Sequence, residues 1–226
     1  MRSEGERAAG SFAGDRYPLL LLVVLAVVFV ALGIAPWYRQ DWLLENMLVF
    51  AAVGVFIATY RRLRFSNLAY TLLFLFFVLH EVGAHYTYSL VPYDTWIEKL
   101  DGVTLRERFG LARNHYDRVI HFSYGLLMLL PAVELLRAVA PPRGIWRYLL
   151  PVLFILSHSA IYELVEWGAA LVFGGGLGIA YNGTQGDEWD SQKDMACAVC
   201  GSLLATAIMI ASELARRRSP ARQGAH

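Results

Sequence analysis

Six long runs of apolar residues leave this chain few folds to choose from. Of its 226 residues 57% are hydrophobic and 17% charged, and the apolar ones come as uninterrupted runs rather than amphipathic stripes. In lipid there is no water to meet backbone N–H and C=O groups, so such a run must bond within itself as a helix. The runs are Leu19 to Ala35, Leu43 to Tyr60, Leu68 to Val82, Asp117 to Val139, Tyr148 to Phe173 and Asp194 to Leu214. They run from 15 to 26 residues, close to the ~17–25 that cross ~30 Å of hydrocarbon. They predict an all-α, polytopic transmembrane helical bundle of about six spans. One transmembrane domain then fills 16–215, between a polar, disordered N-terminus (1–15) and a basic tail (216–226). The first run competes with a cleavable signal peptide. It exceeds a usual apolar core, and Pro36 and Trp37 stand where cleavage would be expected, so it reads as a retained span.

Basic residues set the expected orientation. Arg61, Arg62 and Arg64 lie between spans two and three, and Arg137, Arg143 and Arg147 between four and five. Arg216, Arg217, Arg218 and Arg222 close the chain. In a six-span threading all three regions share one side, which predicts that side, with both termini, to be cytoplasmic. Lys99, Arg106, Arg108 and Arg113 in the 91–116 connection run against this pattern. No basic face or glycine-rich phosphate loop points to nucleic acid, and the expected partner is membrane lipid. Cys197 and Cys200 form a C-x-x-C inside the last run, where small packing residues are the plainer reading than a redox or metal motif.

Four segments place ionisable groups at membrane depth, and each is a functional-site hypothesis by default. They are HEVGAHY (His80 to Tyr86), NHYDRVIHF (Asn114 to Phe122), SHSAIYELVEW (Ser157 to Trp167) and GDEWDSQKD (Gly186 to Asp194). Threading brings all four to the outer side. Within them Glu81 and His85, Asp117 and His121, and Asp190 and Asp194 are four apart, and Glu163 and Glu166 three apart. Residues so spaced share a helix face. Four polar faces are buried most cheaply by turning them together, which predicts a wet pocket open to the outer surface and walled by spans three to six.

Two chemistries suit that pocket. Imidazoles and carboxylates can hold a divalent cation such as Zn²⁺, Mn²⁺ or Fe²⁺, with His80, Glu81, His85, Asp117 and His121 as metal candidates. Closely placed carboxylates can instead drive each other's pKa apart, making Glu163, Glu166, Asp190 and Asp194 the catalytic candidates. Plain structural roles compete at each position. Asp117 could cap a helix, with Asn114 in the turn before it. His121 could serve packing alone, and Asp187, Asp190 and Asp194 could be solvated loop acids. Gly183, Thr184 and Gly186 read as turn residues. His115 and His158 are second-tier, and His226 carries no signal.

The segments HEVGAHYTYSLVP, RNHYDRVIHFSYGLLMLLPAVE, YELVEW and GTQGDEWDSQKDMACAVCG, in that order, resemble the YjdF family of bacterial inner-membrane proteins. The resemblance spans roughly 40–212 and implies a multi-pass inner-membrane protein; it brings no activity with it. A fainter similarity is to VanZ-like membrane proteins, associated with resistance to the glycopeptide teicoplanin. Asp117, His121, Glu163, Asp194 and Gly201 would occupy that family's positions, although Arg118 stands where it has lysine and Glu166 near an expected glutamine.

The leading expectation is a membrane-embedded enzyme, metal-dependent or not, acting on a lipid or lipid-linked envelope substrate at the outer leaflet. A proton- or cation-coupled transporter is the alternative, although no internal symmetry is visible in the six spans. A non-catalytic scaffold whose polar cluster only locks helix packing is the third.

Overall fold

A computed structural model describes residues 4–173 and 184–218. Most of the glycine-rich connection (174–183), with the turn expected at Gly183, the extreme ends and His226 lie outside the described residues. The helices are α1 (Glu4–Gly33), α2 (Arg39–Thr59), α3 (Asn67–Tyr86), the short α4 (Tyr93–Asp101) and α5 (Leu105–Phe109), α6 (Tyr116–Val139), α7 (Trp146–Phe173) and α8 (Asp190–Arg218), with a 3₁₀ turn at Tyr88–Leu90. Six of them are long and apolar enough to cross a membrane, and no strand occurs among the described residues.

The spans alternate in direction, so the bundle has two unlike ends. At one, which we call the polar end, α1, α3 and α7 finish while α2, α6 and α8 begin. There the Trp37 amide donates to the His85 carbonyl (3.0 Å), tying the entry of α2 to the exit of α3. At the far end Glu134 of α6 accepts from the Ser66 amide (2.7 Å) and hydroxyl (2.6 Å), while Ser66 also caps α3. Tyr148 at the start of α7 donates to Glu213 near the end of α8 (2.9 Å).

Lipid tails are as apolar as leucine, so helices in a membrane associate through close packing and polar contacts rather than water exclusion. The tightest crossing here is between α6 and α8. A Cβ on Gly125 would come within 1.9 Å of the Ala198 carbonyl oxygen, and one on Gly201 within 2.0 Å of the Phe122 carbonyl oxygen. Two glycines thus let the backbones touch, which brings the first turns of α6 and α8 side by side. Below them Phe77, Leu129, Val133, Val152 and Ile155 fill a buried apolar core. α1 lies at the edge against α3, with leucines and valines turned outward.

Several helices extend past the apolar runs. α2 starts at Arg39 rather than Leu43, α3 continues to Tyr86 rather than Val82, and α8 starts at Asp190 rather than Asp194. The extra turns are polar, and all three lie at the polar end. The competing reading of Asp117 as a helix cap is corrected too: α6 begins at Tyr116 with His115 in the cap position. Asn114 Oδ1 meets the Tyr116 amide (2.9 Å), so Asp117 sits buried inside the first turn.

Candidate functional site

The polar end holds two buried clusters. The first is built by α6, α7 and α8. His121 of α6 sets Nε2 3.3 Å from Glu163 Oε1 of α7 and 3.7 Å from Asp117 Oδ1, while Nδ1 lies 3.3 Å from the Ser159 hydroxyl. Ser191 of α8 hydrogen-bonds Glu163. Asp117, Asp190 and Asp194 each bring a carboxylate oxygen within 4.8 Å of the others. Close helix crossing makes this trio: the Gly125–Gly201 contact lies two turns below Asp117 and Asp194.

Three cationic side chains face these acids. Arg113 Nη1 lies 2.5 Å from Asp190 Oδ1 and Nη2 3.3 Å from its Oδ2. Arg118 Nη2 reaches Asp187 (2.6 Å) and Asp190 (3.1 Å), and its Nε stands 3.8 Å from Asp194 Oδ1. Lys193 holds Asp187 at the rim (2.7 Å). Lys193, then Arg118, keep the Asp187 carboxyl well below the usual carboxylate range. His115, at the mouth, is pushed below the ordinary imidazole value by burial and by Arg118 and Arg113. Two buried oxygens of the cluster, Glu163 Oε1 and Asp194 Oδ1, have no well-aligned hydrogen-bond partner.

The second cluster is built by α2 and α3. Asp41, Glu45 and Asn46 of α2 are buried against His80 and Glu81 of α3. Thr87 donates to Asp41 Oδ2 (3.2 Å), and the Asn46 amide group bonds both the Trp42 carbonyl (2.8 Å) and Glu81. His80 Nδ1 bonds the Tyr88 hydroxyl across the end of α3. The Tyr88 ring folds back so closely that a Cβ on Gly83 would stand 2.8 Å from it. Tyr162 of α7 joins the clusters. Its hydroxyl donates to Glu45 Oε2 (2.9 Å), lies within reach of Glu166, and its ring sits edge-on to His121.

The structure therefore divides the sequence-derived candidates. Asp117, His121, Glu163, Asp190 and Asp194 meet in the first cluster, with Glu166 on the Tyr162 side. His80 and Glu81 belong to the second. His85 joins neither, since Nδ1 bonds the Leu32 carbonyl at the end of α1 (2.7 Å). His158 is exposed and bonds the Phe154 carbonyl (2.9 Å). Asp41, Glu45, Arg113, Ser159 and Tyr162 belong to the site without having been singled out. Asp41 and Glu45 could have been found, because they repeat the four-residue spacing at the start of a span.

Two connecting segments meet beside the described part of the site. Asn114 and Gln185 exchange hydrogen bonds (3.1 and 3.0 Å), Arg113 donates to the Thr184 carbonyl (3.0 Å), and Asn114 Nδ2 meets the Val91 carbonyl (2.9 Å). Thr184 and Gly186 form the expected turn, with the Asp187 amide on the Thr184 carbonyl (2.9 Å) and φ +86° at Gly186. Elsewhere, a groove of about 320 Å³ between α1, α2 and α3 is almost wholly apolar. Cys197 is half-buried and Cys200 exposed on α8; neither forms a disulfide.

The chain matches the family described as "Predicted membrane protein (DUF2238)" over residues 17–214. It is 39% identical over 190 residues to the inner membrane protein YjdF of Escherichia coli (strain K12), covering 82% of this chain and 87% of that one. No solved structure matches. With six membrane-length helices and a match running through all of them, the chain is a multi-pass inner-membrane protein and belongs to the DUF2238 family of membrane proteins.

Proposed function

We propose that the α6–α7–α8 cluster is the catalytic centre of a membrane-embedded, metal-dependent enzyme acting on a lipid or lipid-linked envelope substrate at the outer leaflet. The observation that carries this reading is the Asp117–Asp190–Asp194 trio set beside the His121–Glu163 pair. Arg113 and Arg118 meet Asp190 and approach Asp194, but Asp117 pairs with no lysine or arginine among the described residues, and carboxylates at that spacing repel unless a cation or a proton lies among them. Oxygen-rich donors favour a hard ion such as Mg²⁺ or Mn²⁺, narrowing the set open to a histidine-rich site. Such an ion polarises a phosphoryl or carbonyl oxygen and lowers the pKa of bound water. Glu163 is the base for a water or hydroxyl proton, and Ser159 and Asp117 orient His121. Arg113 and Arg118 at the mouth offer the charge that a phosphate-bearing headgroup would need. His80, Glu81 and His85 leave the proposed metal set, because none of them lies in this cluster.

The outward placement rests on arginine distribution. Arg61, Arg62, Arg64, Arg143, Arg147, Arg216, Arg217 and Arg218 gather at the far end, which the positive-inside rule assigns to the cytoplasm.

The test is metal content in protein purified in detergent. Wild type should retain about one equivalent of a divalent ion. Asp117→Asn with Asp194→Asn should lose it, and Glu163→Gln should keep the fold. No stoichiometric metal in wild type, with folding unchanged in a Glu163→Gln, Glu166→Gln variant, sinks the metal-enzyme reading. A second arm labels Thr184→Cys in a background free of Cys197 and Cys200. Reaction with an impermeant thiol reagent only from the cytoplasmic side overturns the outward assignment.

A further inference from the structure

We propose that the α2–α3 cluster is a separate binding site for a small monovalent cation, Na⁺ or K⁺, ligated by side-chain oxygens of Asp41, Asn46 and Glu81. All three residues are essentially inaccessible, at 1%, 0% and 1% exposure. Each keeps one oxygen with no hydrogen-bond donor: Asp41 Oδ1, Asn46 Oδ1 and Glu81 Oε2. A flip of the Asn46 carboxamide would set its oxygen against the Trp42 carbonyl, to which Nδ2 now donates (2.8 Å), so Oδ1 keeps its place. Buried polar groups are nearly always satisfied, so three unmet acceptors on adjoining helices point to something that brings positive charge or donors to them.

Among the described residues no lysine or arginine supplies it, and the buried Trp42 Nε1 and His80 Nε2 bond none of the three oxygens. Among the described residues Asp41, Glu45 and Glu81 form no ion pair with lysine or arginine, in contrast to the acids of the first cluster. The groups facing them are His80 and Tyr88, whose Nδ1 and hydroxyl bond each other, Tyr162 on Glu45, and Asp117 across the α6 interface. Tyr162 has a single hydrogen to give, with both Glu45 and Glu166 in reach.

The size and charge of the ligand follow from the same contacts. Near-zero exposure leaves no entry for a headgroup, so the species is small. Among the described residues the one group of three His, Cys, Asp or Glu ligand atoms within 4.8 Å of one another is Asp117, Asp190 and Asp194, so the α2–α3 acids and histidine form no such set. The α2–α3 donors include a neutral amide oxygen and the Thr87 hydroxyl beside Asp41, a donor set of lower charge density. The ion would pin the start of α2 to the end of α3 and stand behind the first cluster through Tyr162.

Thermal unfolding in detergent, with chelator present throughout, tests this at constant ionic strength with NaCl, KCl or choline chloride. One alkali cation should raise Tm by several degrees over choline and saturate with concentration, as a ligand that binds only the folded state does. Glu81→Gln and, as a second variant, Asn46→Ala should abolish the difference, while Asp194→Asn should preserve it. Equal Tm of wild type in all three salts overturns the proposal. So does an infrared carboxylic-acid band that disappears in Glu81→Gln, since a proton would then do the ion's work. Ion dependence that survives both α2–α3 variants but is lost in Asp194→Asn would move the ion to the first cluster and also overturn it.

Discussion

The two clusters solve the same electrostatic problem in opposite ways. In the α6–α7–α8 cluster the acids are met by Arg113, Arg118 and Lys193, so the protein supplies most of its own counter-charge. In the α2–α3 cluster Asp41, Glu45 and Glu81 have only hydroxyl, amide and imidazole neighbours. A charge withdrawn from water is tolerated when paired and well bonded, and is otherwise neutralised. The difference separates the two proposed roles. Arginines hold the acids in place whatever else binds, so the first cluster can carry chemistry on a fixed frame. The second depends on its ligand for shape.

The sharpest way to break the contrast is to make the first cluster resemble the second. Arg118→Met removes the guanidinium that touches Asp187 and Asp190 and stands near Asp194, with a side chain only 19% exposed. Removing one partner of a fully buried pair costs ~3–5 kcal/mol, and this partly exposed site should lose about 2–4 kcal/mol. Adding Asp190→Asn should recover part of it, with a coupling of about 0.5–3 kcal/mol. Denaturation of wild type, both single variants and the double variant reads this cycle. Additive losses would show that the arginines do not hold the acids.

The link between the clusters gives a smaller effect. Tyr162→Phe deletes the hydroxyl that donates to Glu45 while leaving the ring against His121. Loss of one hydrogen bond to a buried carboxyl should cost about 1–3 kcal/mol. If Tyr162 couples the two sites, the variant should also weaken the alkali-cation effect on Tm without changing divalent-metal content. Unchanged stability would mean that the clusters stand side by side without communicating.

The six spans were legible because lipid imposes a simple rule, and each apolar run obeys it. The same rule hid part of the site. Hydropathy ends a span where polarity rises, so it cut away Asp41 on α2, His85 on α3 and Asp190 on α8, although all three are helical. Spacing within one helix recovered Asp117 with His121 and Asp190 with Asp194, since contacts three or four residues apart need no tertiary information. Pairing between helices had no such signature. The bond from Tyr162 to Glu45 crosses 117 positions, and the Asn114–Gln185 exchange crosses 71. Arg113 was legible only as a charge in a loop, at odds with the topology rule. Its geometry gives the reason: it closes on Asp190 and the Thr184 carbonyl, so its place is decided by the site it serves.

Lys193 marks where the first cluster's self-sufficiency ends. It bonds both Asp187 oxygens (2.8 and 2.7 Å) yet is 47% exposed, so solvent screens the pair and a long side chain loses freedom in making it. Asp187 is held below the ordinary carboxylate range, chiefly by Lys193 and then by Arg118. A depressed carboxyl contributes stability that is present above its unfolded value and is lost as pH falls through the folded one. The rim should therefore stay closed at pH 5 and open only in stronger acid. Lys193→Met should lower Tm by no more than ~3 °C, and added salt should shrink that difference further. Arg118 still reaches Asp187 in the variant, so the 184–190 turn keeps its anchor. A loss as large as that of Arg118→Met would place the decisive counter-charge at the water boundary, and the first cluster would then depend on its surroundings as the second does.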